Sequence, residues 1–389
     1  MPRLASLFLT KGIRVFVFGL VSIMTPVYVA DLGYSPLYVG IVITSIVAGN
    51  IFSNILLTWY RNRIGVHRAL LIFSFLMLAS GVILFSTSFF PLILFACFIG
   101  NISTNGTEAG PFQSIETGVI PNLLSSHEKI GRAFGAYNLI GYSSASVGAL
   151  AVSIPAYFGN SIPVFRNLYL LYAIAGLVLF AVYVRLGALE TLTGGKAIPR
   201  ISPEARSDVS KLSLLFGADA FGGGFVSQSI LSYWFFLVYK VTLANLGPIF
   251  SVVGVITALS TYAAPFVGEK LGNLRTMVAT HLLSNVFLIL IPLVGSLVAA
   301  LAFLFLRQSV SQMDVPTRQT FMVEIFKPED RVPANAVTNT ARSAASIVGP
   351  PASGAMLADG LAALPLLTGG IAKIAYDVAI FFKYRKRAK

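Results

Sequence analysis

The chain is built from apolar runs of membrane length. A helix that crosses the hydrocarbon core of a bilayer needs roughly 20 mostly apolar residues. About twelve such runs follow one another, at 7–29, 37–59, 69–89, 91–113, 133–155, 167–186, 213–236, 244–266, 276–297, 298–320, 335–357 and 361–382. Lipid offers no hydrogen bonds to a backbone, so each run must pair its own N–H and C=O groups, which a helix does. With 56% hydrophobic and 11% charged residues over 389 positions, the chain also carries more apolar surface than a water-soluble core can bury. The expected fold class is an all-α membrane protein with twelve transmembrane helices in two pseudo-symmetric six-helix bundles.

The one long polar interruption, 187–212, holds Lys196, Arg200, Glu204, Arg206, Asp208 and Lys211 and follows the sixth run. It divides the chain into an N-terminal bundle at 1–186, a cytoplasmic linker at 187–212, and a C-terminal bundle with a basic tail at 213–389. Arg3, Lys11 and Arg14 accompany a first run too long for a cleaved signal, so that run reads as the first spanning helix. With both termini cytoplasmic, the inner segments collect Arg61, Arg63, Arg68, Lys129, Arg132, Lys270, Arg275, Lys327, Arg331 and the tail lysines and arginines. The outer loops keep Arg166 and Lys240. That asymmetry accounts for the formal charge of +13 without a nucleic-acid partner and implies a multi-pass protein of the cell membrane. One cysteine, Cys97, and three scattered histidines offer neither a disulfide framework nor zinc-ligand spacing, so no metal or cofactor is expected.

The two halves repeat each other. Arg63, Gly65 and Arg68 recur 207 positions later as Lys270, Gly272 and Arg275. The same offset carries Asn101 to Gln308, Asn105 to Gln312 and Thr107 to Asp314. At an offset of 201, Glu128, Ala133, Asn138 and Gly148 match Glu329, Ala334, Asn339 and Gly349. A duplicated six-helix unit is the architecture of carriers that alternate access to a midplane site.

On these features the chain resembles the Major Facilitator Superfamily of secondary transporters over essentially its whole length. That superfamily carries Gly-x-x-x-Asp-Arg-x-Gly-x-Arg between helices 2 and 3. Arg63, Gly65 and one of His67 or Arg68 fit it, whereas Thr58 and Asn62 stand where the first glycine and the acid would be. The second copy, Glu269, Lys270, Gly272 and Arg275, restores an acid. The resemblance implies a cytoplasmic latch formed by both copies, joined by Asp314 and Arg318 at the end of helix 10. It also implies a monomeric, proton-linked carrier of a small-molecule solute, working as an exporter, with helices 1, 4, 7 and 10 around the path.

Charges inside apolar runs are costly and therefore face a partner or water. The acids are Glu108, Asp219, Asp314 and Asp377; the bases are Arg14, Arg307, Arg342 and Lys373. Glu108 and Asp219 are expected to load and release protons beside arginines, or else to act as hydrogen-bonded glue between helices. Arg307 reads as a cavity residue. Arg14 reads equally as a path residue or as a side chain snorkelling to the interface. Lys373 and Asp377, four apart on one helix, are expected to form a structural ion pair. Drawn as helices, Asn101, Asn105 and Glu108 share one face, as do Gln308, Ser311 and Gln312, and with Gln228 these stripes would line a hydrophilic path.

The sequence has no glycine-rich phosphate loop, nucleophile elbow or His-Glu-x-x-His, so ATP hydrolysis and enzymatic chemistry are not expected. Gly349-Pro350-Pro351 marks a bend in the eleventh run. The competing readings are an uncoupled facilitator and a transporter-like receptor or lipid scramblase.

Overall fold

A computed structural model describes residues 2–107, 110–124, 127–158, 162–187 and 201–386. Its helices begin with α1 (Pro2–Asp31), α2 (Pro36–Ile64), α3 (Val66–Ser86), α4 (Phe90–Ile99), α5 (Pro111–Val119), α6 (His127–Ala151), α7 (Pro155–Phe158) and α8 (Ile162–Leu186). They continue with α9 (Pro203–Gly224), α10 (Gln228–Tyr239), α11 (Leu243–Leu271), α12 (Asn273–Leu290), α13 (Leu297–Ser311), α14 (Asp314–Ile325), α15 (Pro328–Ser346), α16 (Gly349–Ala358) and α17 (Leu364–Tyr384). No strand occurs among the described residues. Among them, eight helices or helix pairs are long and apolar enough to cross a membrane on those criteria alone. The other four apolar runs coincide with α4–α5, α6, α13–α14 and α15–α16, so the arrangement is consistent with twelve spans.

The helices gather into two compact units, Met1–Gly195 with Ser227–Gly254, and Lys196–Val226 with Val255–Lys389. In the first, α1 packs on α2, α6, α8 and α10, and α3 packs on α8. Of the most apolar window of α1, 83% is buried, against 39% for α2, so polar groups on α1 must find partners in protein. In the second unit α9 packs on α15 and α17, and α12 on α13, α14 and α17. Leu212, Phe216, Met277, Phe321, Tyr376 and Tyr384 form its core near the start of α9.

The duplication is visible in backbone detail. Gly65 and Gly272 sit just before α3 and α12 with φ of 75° and 84°, a conformation that costs a side-chain-bearing residue and suits glycine. Gly148 on α6 crosses α1 so closely that a Cβ there would lie 1.8 Å from the Phe16 carbonyl oxygen. Its repeat partner Gly349 meets Gly224 of α9, where a Cβ would lie 2.2 Å from the Gly224 carbonyl carbon.

Four spans are broken near their middles, and here the structure departs from the helical stripes expected above. Residues 100–107 are not helical, so Asn101 and Asn105 do not share a helix face. Asn101 is left-handed at φ 55° and Gly106 at φ 68°. Asn101 Nδ2 donates to the Ile99 carbonyl at 3.2 Å and Asn105 N–H donates to Ser103 Oγ at 3.3 Å. Short polar side chains bonding to nearby backbone offer the chain an alternative to the helix ladder, and glycine permits it. The repeat-related span stops at Ser311 and resumes at Asp314, leaving Gln312 as the residue that caps the end of α13. Breaks also fall between Gly224 and Gln228, where Ser227 Oγ caps α10, and between Ser346 and Gly349 ahead of Pro350 and Pro351.

Candidate functional site

Each unit buries its own ionic cluster. In the first, the Arg14 guanidinium on α1 meets Glu116 on α5 through Nη2–Oε2 at 2.6 Å and Nη1–Oε1 at 3.1 Å, with neither side chain exposed. Tyr183 and Tyr137 hydroxyls donate to Oε1 and Oε2 at 2.7 Å each, Thr10 Oγ1 donates to Oε1 at 3.2 Å, and Phe112 lies 4.6 Å beneath the guanidinium. A buried ion pair is tolerated only when its remaining lone pairs and protons are also met, and these are. Arg14 therefore does not snorkel.

In the second unit Asp219 on α9 gathers cations from three helices. Lys373 Nζ lies 2.6 Å from Oδ1, Arg342 Nη1 2.9 Å and Arg318 Nη1 3.7 Å from Oδ2, and His281 Nε2 of α12 3.5 Å from Oδ1. Arg318 also holds Asp314 at 2.9 Å. The expected Lys373–Asp377 pair is replaced, because Lys373 turns to Asp219 while Asp377 takes His281 Nδ1 at 2.7 Å and Asn285 Nδ2 at 3.1 Å. Lys373 Nζ sits 3.3 Å from His281 Nε2. An ammonium only donates, so in the neutral imidazole Nε2 accepts from Lys373 and Nδ1–H donates to Asp377.

Arg307 on α13 is 8% exposed, and among the described residues it makes one hydrogen bond, Nη1 to Gln308 Oε1 at 3.0 Å, and no ion pair. Gln308 Nε2 in turn donates to Thr257 Oγ1 of α11. Gln228 at the start of α10 donates to Ser22 Oγ at 2.9 Å, and Ser229 N–H donates to the Thr104 carbonyl at 3.0 Å. The break in the fourth span is thereby tied to α1 and α10. Asn101 is buried with Oδ1 unpaired, Asn105 is exposed, and Gln312 is half-buried.

Of the proposed latch, Gly65 and Gly272 shape turns, while Arg68, Glu269, Lys270 and Arg275 are exposed. Asp314 and Arg318 are instead drawn into the Asp219 cluster. Glu108 and the Arg63 side chain lie outside the described residues. Sequence reasoning missed Glu116 and His281. The signal for Glu116 was the continuation of the fourth run beyond Pro111, and for His281 its place inside an apolar run.

The two clusters occupy matching places with inverted sign. Arg14 of α1 pairs with Glu116 in the second half of a broken span; Asp219 of α9, 205 positions later, meets Arg318, 202 positions after Glu116, in the second half of another.

The sequence model of the Major Facilitator Superfamily matches residues 7–350. A Saccharomyces cerevisiae protein, "Uncharacterized membrane protein YJR124C", is 26% identical over 386 residues, covering 89% of this chain and 85% of the yeast protein. The nucleoside transporter NupG superposes with a TM-score of 0.75 at 12% identity, covering 100% of this chain and 99% of NupG. A D-xylose-proton symporter superposes with a TM-score of 0.73 at 16% identity, covering 96% of each chain.

Proposed function

This chain belongs to the Major Facilitator Superfamily, and on that premise we propose that it is a secondary carrier of a small polar or amphiphilic solute. In this reading it works by alternating access, is coupled to protons through the Asp219 cluster, and exports its solute across the cell membrane with both termini cytoplasmic. The bundles 1–186 and 213–389 are the bodies that exchange access.

The observation that carries the reading is His281, held between Asp219 and Asp377. Three carboxylates (Asp219, Asp314, Asp377) face three permanent cations (Arg318, Arg342, Lys373), so the imidazole decides the net sign of the cluster. Imidazole is the side chain whose charge changes near neutral pH. Once protonated, Nε2 becomes a donor, repels the Lys373 ammonium and turns to Asp219 Oδ1. Lys373 is thereby loosened from its acceptor, and α9, α12 and α17 are pulled toward a different packing. A proton gradient biases two conformations only through such a difference in interactions. The broken middles of four spans supply backbone groups and bends of the kind carriers use at their sites.

The test is reconstitution in liposomes with an imposed pH gradient, reading currents on a panel of sugars, nucleosides and organic anions. His281→Gln and Asp219→Asn are expected to abolish gradient-driven accumulation while leaving solute–solute exchange measurable. Gradient-driven flux that survives both substitutions removes the proton from the mechanism.

A further inference from the structure

We infer that Arg307 is the receptor for an anionic group of the transported solute, a carboxylate or a phosphate, bound between α11 and α13. The inference rests on the carrier reading above and names the chemistry of its substrate.

Three other arginines in the apolar runs each meet a carboxylate: the fully buried Arg14 has Glu116, and the half-buried Arg318 and Arg342 have Asp314 and Asp219. Arg307 has only the neutral Gln308 oxygen on one terminal nitrogen, and its Nε, fully shielded, has no partner. A guanidinium removed from water with a single neutral acceptor is unfavourable, and such a charge persists where something else compensates it. The side of the fork carrying Nε and Nη2 is left to make two parallel N–H···O bonds, the geometry that a planar carboxylate or a phosphate edge accepts.

The surroundings are built for the same task. Gln308 holds Nη1 and is itself anchored by Thr257, so the guanidinium is oriented from behind and the Nε edge points away from that anchor. One helical turn on, Ser311 of α13 and Ser260 of α11 are each 4% exposed, and both hydroxyls lack a hydrogen-bond partner. Ser311 follows Gln308, and Ser260 follows Thr257, by three residues on helices that run in the same direction. The two hydroxyls therefore stand at one level beside the Gln308–Thr257 bridge. A cation with a free fork and two unpaired hydroxyl donors form an anion receptor, and no carboxylate among the described residues fills it. Ser311 follows Arg307 by four residues on the same helix, so its hydroxyl can reach the oxygen that Nε does not take.

The experiment uses purified full-length protein in detergent and follows thermal unfolding at constant ionic strength. Sodium chloride is replaced stepwise by acetate, benzoate or inorganic phosphate, with acetamide and benzamide as neutral isosteres. At least one of the three anions should raise Tm saturably by about 2–4 °C, with the carboxylates and phosphate compared to separate the two sources. The amides should do nothing, and Arg307→Gln should abolish the rise. Arg307→Met should be as stable as wild type without anion, since a charge lacking its partner has been removed; a purely structural arginine predicts a clear loss. A rise that persists in Arg307→Gln overturns the inference, as does the absence of any saturable rise or a destabilised Arg307→Met protein. Because binding is read without flux or a pH gradient, its failure leaves the proton-coupled carrier reading standing, and failure of coupling leaves the receptor standing.

Discussion

Removing Glu116 tests the most completely satisfied group in the first unit. Its carboxylate accepts five hydrogen bonds, two from Arg14 and one each from Tyr137, Tyr183 and Thr10. Glu116→Leu leaves a fully buried guanidinium facing two hydroxyls, and breaking a buried pair from one side costs about 3–5 kcal/mol. Arg14→Met/Glu116→Leu removes both charges, and replacing a buried pair by apolar groups is close to neutral. Only the tyrosine hydroxyls then lack their acceptor, for a net loss of about 1–2 kcal/mol. The double variant should thus be more stable than Glu116→Leu alone, by about 2–3 kcal/mol. Unfolding of such a protein is usefully read as a rate, so the assay is the half-life of monodisperse protein in detergent at fixed temperature. Glu116→Leu should shorten it by about 100–4,000-fold, each tenfold being about 1.4 kcal/mol, and the second substitution should restore most of it. If the single variant stays within about twofold of wild type, or the second substitution restores none of the lost half-life, Arg14 and Glu116 are not one buried unit and the reasoning fails.

Gly148→Ala should be strongly destabilising, because its Cβ would lie 1.8 Å from the Phe16 carbonyl oxygen and α6 must move off α1 to admit it; overpacking of this kind costs about 1–3 kcal/mol or more, and the same assay reads it. Gly118→Ala, with nothing within 4 Å of the added carbon, is the control and should change little. Asn101→Val should lower thermal stability by about 1–2 kcal/mol, since a β-branched residue at φ 55° is strained, whereas Asn101→Gly should be tolerated. Outside the apolar runs, Asp330 accepts the Ser202 N–H at 2.8 Å and its hydroxyl at 2.7 Å, which holds the carboxyl below its ordinary value of 3.8. A lowered carboxylate pKa contributes stability that is full above about pH 4 and lost as pH falls through the folded-state value. The stability difference between wild type and Asp330→Asn should therefore be constant near neutrality and vanish on acidification; a difference unchanged down to pH 2 contradicts this.

The helical class and the duplication were legible because apolar length and repeated cation–glycine–arginine blocks are local properties. Gly65 and Gly272 could be read as related turns from spacing alone, and the left-handed backbone confirms why glycine stands at both. The partners of buried charges were not legible. Lys373 and Asp377 satisfy the helical rule for a pair, yet Asp219 on another helix approaches Lys373 more favourably, a choice set by tertiary packing. The stripe at 101–108 was misread for another reason. Hydropathy runs on through residues 91–113, but Asn, Ser, Thr and Gly clustered at 100–107 favour local turns over the helix, and that turn chemistry was present in the sequence. Glu116 went unseen because the fourth run was closed at 113, before the helix that follows the break.

The inverted polarity of the two ionic clusters gives each half an address. Were α1 to dock in the position of α9 during insertion, Arg14 would enter a nest of Arg318, Arg342 and Lys373; α9 placed beside α5 would set Asp219 against Glu116. Either error confronts like charges in a medium that screens them poorly. The inverted charges thus work against either half assembling with the other's parts.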